Sequence, residues 1–462
     1  MAEPRVVVVE LLRAIKARDT ARFRALLFSP FALLFTDYKV GTLWDSLGFL
    51  FGPLDTWTEP EIHEQGRITV YKTLCTFQRV RQAFKISLWG NKVMGVGVAS
   101  AMDIGLLPPW KAPSYVDEAS IREEEISVQP YWVWPVTKGT INIPTPNASD
   151  RKPAVLLVPG SGPSDRDCTV GGCKYVSVLR FLVLPPHLLV VLLMKVNPYL
   201  QFKDLALGLA TAGFVTLRMD KPSTVLGLKM LVTKSCTLQD EYITPLTAAL
   251  KWLSNHESVD PSKIFILGSS LGGTVAPWLA KASPVPIAGI ISCAGASISL
   301  AKTLIRQMKY HETYAPHANP EDAEKLYRQF EEIQRVLDAG GLKKGEKDPT
   351  KELAIPIPLT YLRDCHTHDP VKAASTLDMP MLFVQGRRDW QVGMEDFVKW
   401  QTGLGGSKAI EKAEWKVYDD IGHLLTVVDE EKKGAFQYDE PANVKQDVIT
   451  DIVDFLRRSS GL

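Results

Sequence analysis

Apolar positions along this chain change their period three times. Residues 5–27 carry apolar side chains at helical spacing, Val8, Leu11, Leu12 and Ile15, then Phe23, Leu26 and Leu27. A polar break at Arg18-Asp19-Thr20 predicts two helical pieces. Apolar and aromatic anchors continue at Leu43, Trp44, Leu47, Phe49, Leu50 and Trp57. Between 66 and 102 the segments ITVYKTLCTF, AFKISLW and KVMGVGVASA are β-branched or aromatic runs, with a turn signal at Gly90-Asn91-Lys92. Helices followed by a strand meander predict a small α+β domain over 1–105. The stretch 106–125, marked by Pro108, Pro109 and Pro113, has no clear period and reads as a linker.

From 126 the pattern becomes that of an α/β domain extending to 462. EEEISVQPYWVWPVTKGTINIPTP reads as a strand, a turn and a strand. Short continuous apolar runs then alternate with helical stretches: AVLLVPG, FVTLRMD, KIFILGSS, GIISCAG, MLFVQGRRD and EWKVYDD. Runs of this kind are strands buried on both faces, as in a mostly parallel sheet covered by helices. The charged, helical stretch at about 300–360 has no strand of its own. It reads as a helical cap over the site, the alternative being a surface insertion away from it.

The ends of the buried strands carry the chemistry, which is where open α/β sheets place their sites. In KIFILGSSLGGTVAPWLA a strand runs into Gly268-Ser269-Ser270-Leu271-Gly272-Gly273 and then into a helix. This is G-x-S-x-G in its required strand–turn–helix context, and only Ser270 fits the register. Glycines flank the serine because side chains there would meet neighbouring backbone, and the new helix aims its N-terminus at developing negative charge. A serine needs a base oriented by an acid, in the chain order Ser, Asp or Glu, His. Asp389 follows one strand end and His423 the next, so Ser270, Asp389 and His423 are the candidate catalytic residues. Asp419 and Asp420 are rival acids, but they sit on the histidine's own strand end. The oxyanion donors expected are the N–H groups of Leu271 and of Ser161, with Gly162 close behind, in the loop after AVLLV. Asp165, Arg166 and Asp167 are read either as substrate contacts or as a charge-paired brace for that loop.

Charge and composition narrow the setting. With 53 basic and 52 acidic residues the chain is near neutral, so nucleic acid is not an expected partner. Six cysteines without a CxxC pair read as free thiols in a reducing compartment. The N-terminal segment, with Glu10, Arg13 and Lys16, makes a poor signal peptide, and Ser460-Gly461-Leu462 lacks the basic residue of a peroxisomal address. A cytoplasmic location is therefore expected. Cys365-His366-Thr367-His368-Asp369 resembles a metal cluster in composition, but no zinc spacing fits, and it is expected in a loop leading out of the cap. No P-loop or dinucleotide fingerprint occurs.

Together VPGSGPSDRD, FKDLALGLATAGFVTLRMDK, GSSLGG and VQGRRDWQV resemble the α/β-hydrolase esterases whose first loop reads GSGPxDRD. The resemblance covers most of the chain, residues 1–110 in pattern only. It implies an α/β-hydrolase fold preceded by a nuclear-transport-factor-2-like domain. It also implies a Ser270, Asp389 and His423 triad acting on carboxylic esters of small or medium acyl groups, without metal or organic cofactor. The chain departs from the family in two places. About 35 residues, including VSVLRFLVLPPHLLVVLLMKV, separate DRD from FKDLA; this insertion over 168–203 is read as an acyl-binding lid, a peripheral membrane contact through 177–196, or a buried or unspliced segment. Pro222 stands where the family often has arginine. The expected partner is a small-molecule ester, with a homodimer as one open arrangement. Ester hydrolysis through an acyl-enzyme is weighed against thioester cleavage or acyl transfer on the same residues, and against a non-catalytic ligand-binding or scaffold role.

Overall fold

The computed structural model of the chain describes most of residues 4–462. Outside the description lie 1–3, scattered positions between 30 and 50, the segments 100–104, 131–135, 146–149, 169–199, 227–235, 315–319 and 353–356, and single positions 107 and 163. The apolar insertion and Cys173 thus fall almost wholly outside the described residues.

The first unit begins with helices Pro4–Ala17 and Thr20–Leu26. Arg18 turns the chain at φ 53°, and the Asp19 carboxylate accepts the Arg22 N–H at 2.9 Å, capping the second helix where the polar break was expected. Strands β1 (Leu54–Trp57), β2 (Glu61–Glu64), β3 (Thr69–Phe77), β4 (Arg81–Trp89) and β5 (Lys92–Ala99) follow, in one five-stranded antiparallel sheet. β1 and β2 were not expected: at four residues each, and with charged Glu61 and Glu64 on β2, they carry no apolar alternation. Val8, Leu11, Leu12, Phe77, Phe84 and Ile86 build this unit's core. Trp44 meets Phe23 edge to face at 5.0 Å.

The second sheet holds eight strands: β6 (Ile121–Val128), β7 (Thr137–Pro144), β8 (Lys152–Val158), β9 (Val215–Met219), β10 (Val259–Ser269), β11 (Gly289–Cys293), β12 (Met381–Gly386) and β13 (Ala413–Tyr418). Their order is β13-β12-β11-β10-β8-β9-β7-β6. Neighbours from β13 through β9 are parallel, while β7 is antiparallel to β9 and β6 to β7. The exchange of β8 and β9 in that order makes a topological switch point, the place at which open α/β sheets carry their sites beyond the C-terminal strand ends.

The continuous apolar runs have a direct cause. Ala154, Leu156 and Val158 of β8 face Leu246, Leu250, Val275 and Leu279 from helices Thr244–Ser254 and Leu271–Ala282. Val155 and Leu157 face Phe202, Leu205, Val448 and Ile452 from helices Gln201–Thr211 and Gln446–Ser460. Both faces are covered, so alternation disappears. The segment joining the two sheets is tied down: Trp110 Nε1 donates to Asp204 at 2.8 Å and the Tyr115 hydroxyl donates to the Val444 carbonyl at 2.8 Å. Pro222 opens the short helix Pro222–Leu226, a position that needs no N–H partner.

Between β11 and β12 lie helices Leu300–Tyr314, Pro320–Asp338 and Leu359–Thr367, with their own small core of Ala301, Phe330, Ile333, Val336 and Leu362. The first of them docks on the residues after Asp389: Gln307 Nε2 donates to the Gln391 carbonyl at 3.1 Å, and the Tyr310 ring stacks on Trp390 at 5.6 Å. The expected loop at Cys365-His366-Thr367-His368-Asp369 is instead a helix–turn–helix corner. Cys365 to Thr367 complete one helix, and Asp369 caps the next by accepting the Val371 and Lys372 N–H groups at 2.9 and 3.0 Å. His368 stacks on Trp278 at 3.6 Å and pairs with Asp364. Its side chains are thus used in packing and capping. Among the described residues no helix is long and apolar enough to cross a membrane.

Candidate active site

β10 ends at Ser269 and the next helix starts at Leu271, leaving Ser270 alone on the turn at φ 56° and ψ −125°. A non-glycine residue holds such a backbone only where its surroundings impose it, at a cost of about 1–3 kcal/mol. Here the Ser270 N–H donates to the Cys293 carbonyl on β11 at 2.8 Å, and the Ser270 carbonyl accepts the Thr274 N–H at 3.0 Å. Side chains at Gly268 or Gly272 would collide with the carbonyls of Gly272 and Val158 respectively. Gly160, in the loop after β8, lies against Ser270: a Cβ there would stand 3.1 Å from Ser270 Cβ and 3.5 Å from its Oγ.

Asp389 and His423 are brought together from successive strand ends. Asp389 Oδ2 accepts from His423 Nδ1 at 2.8 Å, both side chains being buried. Because the ionised carboxylate only accepts, the imidazole proton is assigned to Nδ1, leaving the Nε2 lone pair free. Asp389 Oδ1 accepts the N–H groups of Gln391 and Val392 at 2.8 and 3.0 Å, so the carboxylate cannot rotate without losing two bonds. The histidine loop is closed by Gly422 N–H to the Thr426 carbonyl at 3.0 Å and by Leu425 at φ 62°. Among the described residues no hydrogen bond joins His423 to Ser270 Oγ. Such bonds often form only around substrate. The rival acids are engaged elsewhere, Asp419 with Arg387 at 2.7 Å and Asp420 with Lys445 at 2.9 Å.

Arg166 and Asp167 form the brace. Arg166 binds Asp220 at 3.0 Å and the Gly139 carbonyl at 2.8 Å, and Asp167 pairs with buried Arg218. Beneath the loop that holds Gly160, Ser161 and Gly162 lies a buried network that sequence reasoning missed. Lys221 Nζ donates to the Gly160 carbonyl (3.0 Å), the Gly162 carbonyl (2.8 Å) and the Tyr242 hydroxyl (2.8 Å), and pairs with Glu241 at 3.0 Å. The Tyr242 hydroxyl donates in turn to the Gly160 carbonyl at 2.6 Å, and Tyr361 donates to Glu241. Burial pushes the Lys221 ammonium below its ordinary value, opposed by the Glu241 charge, and pushes the Tyr242 phenol well up. Lys221 is the second residue past the end of β9, a strand-end position that was the available signal. Among the described residues no group of three or more His, Cys, Asp or Glu is placed to hold a metal ion.

Sheet order and the strand–turn–helix at Ser270 together define an α/β-hydrolase fold, with a buried acid–histidine pair beyond its strand ends. In sequence the chain is similar to Esterase EstD of Thermotoga maritima, at 29% identity over 347 residues, covering 75% of this chain and 70% of that one. The prolyl oligopeptidase family pattern matches residues 234–342, a stretch that contains Ser270 and the helices Leu300–Tyr314 and Pro320–Asp338. Among solved structures, Est1E from Butyrivibrio proteoclasticus aligns over 73% of this chain and 99% of its own, at 13% identity and a TM-score of 0.43. An acylaminoacyl peptidase bound to Z-Gly-Gly-Phe-chloromethyl ketone aligns over 88% of this chain at 12% identity and a TM-score of 0.42, and this chain spans 50% of its length.

Proposed function

We propose that the protein is a serine hydrolase that cleaves carboxylic esters of small to medium acyl groups through an acyl-enzyme. The observation that carries this reading is the backbone of Ser270, forced to φ 56° at a strand–helix turn, with its side chain beside the loop of Gly160. His423 Nε2 takes the Ser270 proton as Oγ attacks the ester carbonyl, and Asp389 stabilises the imidazolium. The oxyanion is held by the N–H groups of Leu271 and Ser161. His423 then protonates the leaving alcohol and activates the water that releases the acid. The similarity to an esterase supports ester chemistry, and the cap over the Asp389 loop supports a substrate enclosed on that side.

The test is hydrolysis of p-nitrophenyl esters of graded chain length by the wild type and Ser270→Ala. Turnover confined to the wild type and strongest on short or medium chains supports the reading. Equal activity in the variant contradicts it. Running acyl thioesters and peptide anilides alongside separates ester cleavage from thioesterase and peptidase activity on the same residues.

A further inference from the structure

Lys221 is a costly residue to bury. An ammonium taken out of water is tolerated only when its charge is paired and its protons are bound. Glu241 supplies the charge at 3.0 Å. Two of the remaining acceptors are main-chain carbonyls from a single loop, Gly160 and Gly162, and the third is the hydroxyl of Tyr242, which itself donates to Gly160. The Gly160 carbonyl therefore receives two donors, one of them charged. The loop is anchored again one step further on, where the Ser164 carbonyl accepts from the Lys221 N–H at 3.2 Å and from the Thr224 hydroxyl at 2.7 Å.

The peptide plane converts this grip into an orientation. In a trans peptide the C=O of one residue and the N–H of the next point in opposite directions. The peptide joining Gly160 to Ser161 is trans, and its carbonyl points at Lys221 and Tyr242. Its N–H, which belongs to Ser161, must face the other way. Gly160 itself lies against Ser270, since a Cβ on it would stand only 3.1 Å from Ser270 Cβ. A cation on the carbonyl oxygen also draws electron density from the amide and makes its N–H a stronger donor, as in any polarised hydrogen-bond chain.

We propose that Lys221, paired with Glu241 and spaced by Tyr242, is the positioning residue of the oxyanion hole, fixing and polarising the peptide whose Ser161 N–H faces the substrate oxygen. This rests on the reading of Ser270 as the nucleophile. Lys221 touches no reacting atom; it acts through one peptide. Its contribution is therefore realised in the tetrahedral state rather than in ground-state binding.

Two variants test it. Tyr242→Phe removes one donor to the Gly160 carbonyl. The double variant Lys221→Met/Glu241→Gln removes the ion pair without leaving a lone buried charge. Each is measured on a p-nitrophenyl ester for kcat and KM, and for inhibition by an alkyl boronic acid, which forms a tetrahedral adduct on a serine Oγ. Folding is checked by melting temperature and near-UV circular dichroism. In the double variant kcat falls by about tenfold to a hundredfold, less than loss of a whole oxyanion donor. KM stays within about threefold, and boronate affinity weakens by the same factor as kcat. Tyr242→Phe shifts both in the same direction by a few-fold, and carries the test alone where the double variant does not fold. A folded variant with kcat and boronate affinity within twofold of wild type overturns the proposal, as does a fall in kcat with boronate affinity unchanged. A wild type that neither turns over esters nor is labelled at Ser270 by a fluorophosphonate overturns the nucleophile reading itself, and the proposal with it.

Discussion

Asp389→Asn separates charge and tautomer from shape. Asp389 Oδ1 accepts two backbone N–H groups, from Gln391 at 2.8 Å and Val392 at 3.0 Å, while Oδ2 faces His423 Nδ1 at 2.8 Å. In the asparagine variant the carbonyl oxygen must stay on the two backbone donors, since the opposite flip sets an NH2 group against both of them. The amide NH2 then falls where Oδ2 was, and donates to Nδ1. Histidine responds by holding its proton on Nε2, the atom that must accept the serine proton. In a Ser-His-Asp site of another fold the same change costs about 10⁴-fold in kcat. That factor equals about 5.5 kcal/mol of lost transition-state stabilisation. One further contact changes: Gln385 Nε2, now 3.3 Å from Oδ2, loses its acceptor there but keeps the Val392 carbonyl at 2.8 Å. The fold is therefore retained, and the melting temperature moves by only a few degrees. Steady-state kcat on a p-nitrophenyl ester, with a melting curve on the same preparation, measures both quantities. A folded Asp389→Asn protein with kcat within tenfold of wild type would refute this account of the pair.

Other perturbations test neighbouring parts of the structure. Gly160→Ala places a methyl 3.1 Å from Ser270 Cβ, so kcat/KM falls by about tenfold to a hundredfold while the denaturation midpoint barely moves; equal activity would mean that the loop yields freely. Asp204→Ala strands three donors, Trp110 Nε1, the Asn443 amide and the Val444 N–H, and lowers unfolding free energy by about 3 kcal/mol or more in urea titration at unchanged slope. His311, wedged between Trp390 and Tyr314, is held down to about 4 from 6.5 by burial and then by the Arg79 charge. Between those values the unfolded chain binds the extra proton, so stability is present at neutral pH and falls as pH drops from 6.5 towards 4. His311→Gln flattens that part of the profile, read from melting temperatures between pH 7 and pH 4.5.

The sheet and the elbow could be read from the chain because each leaves a local mark. Two-sided burial produces runs such as AVLLV and KIFIL, and the strained turn needs Gly268 and Gly272 at fixed offsets from Ser270. Asp389 and His423 were legible because strand ends punctuate the sequence in the order the chemistry needs. The network under the first loop was not. Lys221 meets Gly160 from 61 positions away and Glu241 from a π-helical turn, and no local period records such a meeting. The short strands β1 and β2 were invisible for a different reason: they are stabilised by pairing to β3, not by an apolar face of their own. Likewise the corner at Cys365–Asp369 has a metal-like composition, yet its side chains are spent on a helix cap and on stacking against Trp278.

The central claim is that Ser270 is an activated nucleophile. The direct measurement is to treat the folded protein with a fluorophosphonate, digest it, and locate the adduct by mass spectrometry. A single modification is expected on the peptide containing Gly268-Ser269-Ser270, assigned to Ser270 and lost in Ser270→Ala. An unlabelled wild type, or labelling that persists in Ser270→Ala, would contradict it.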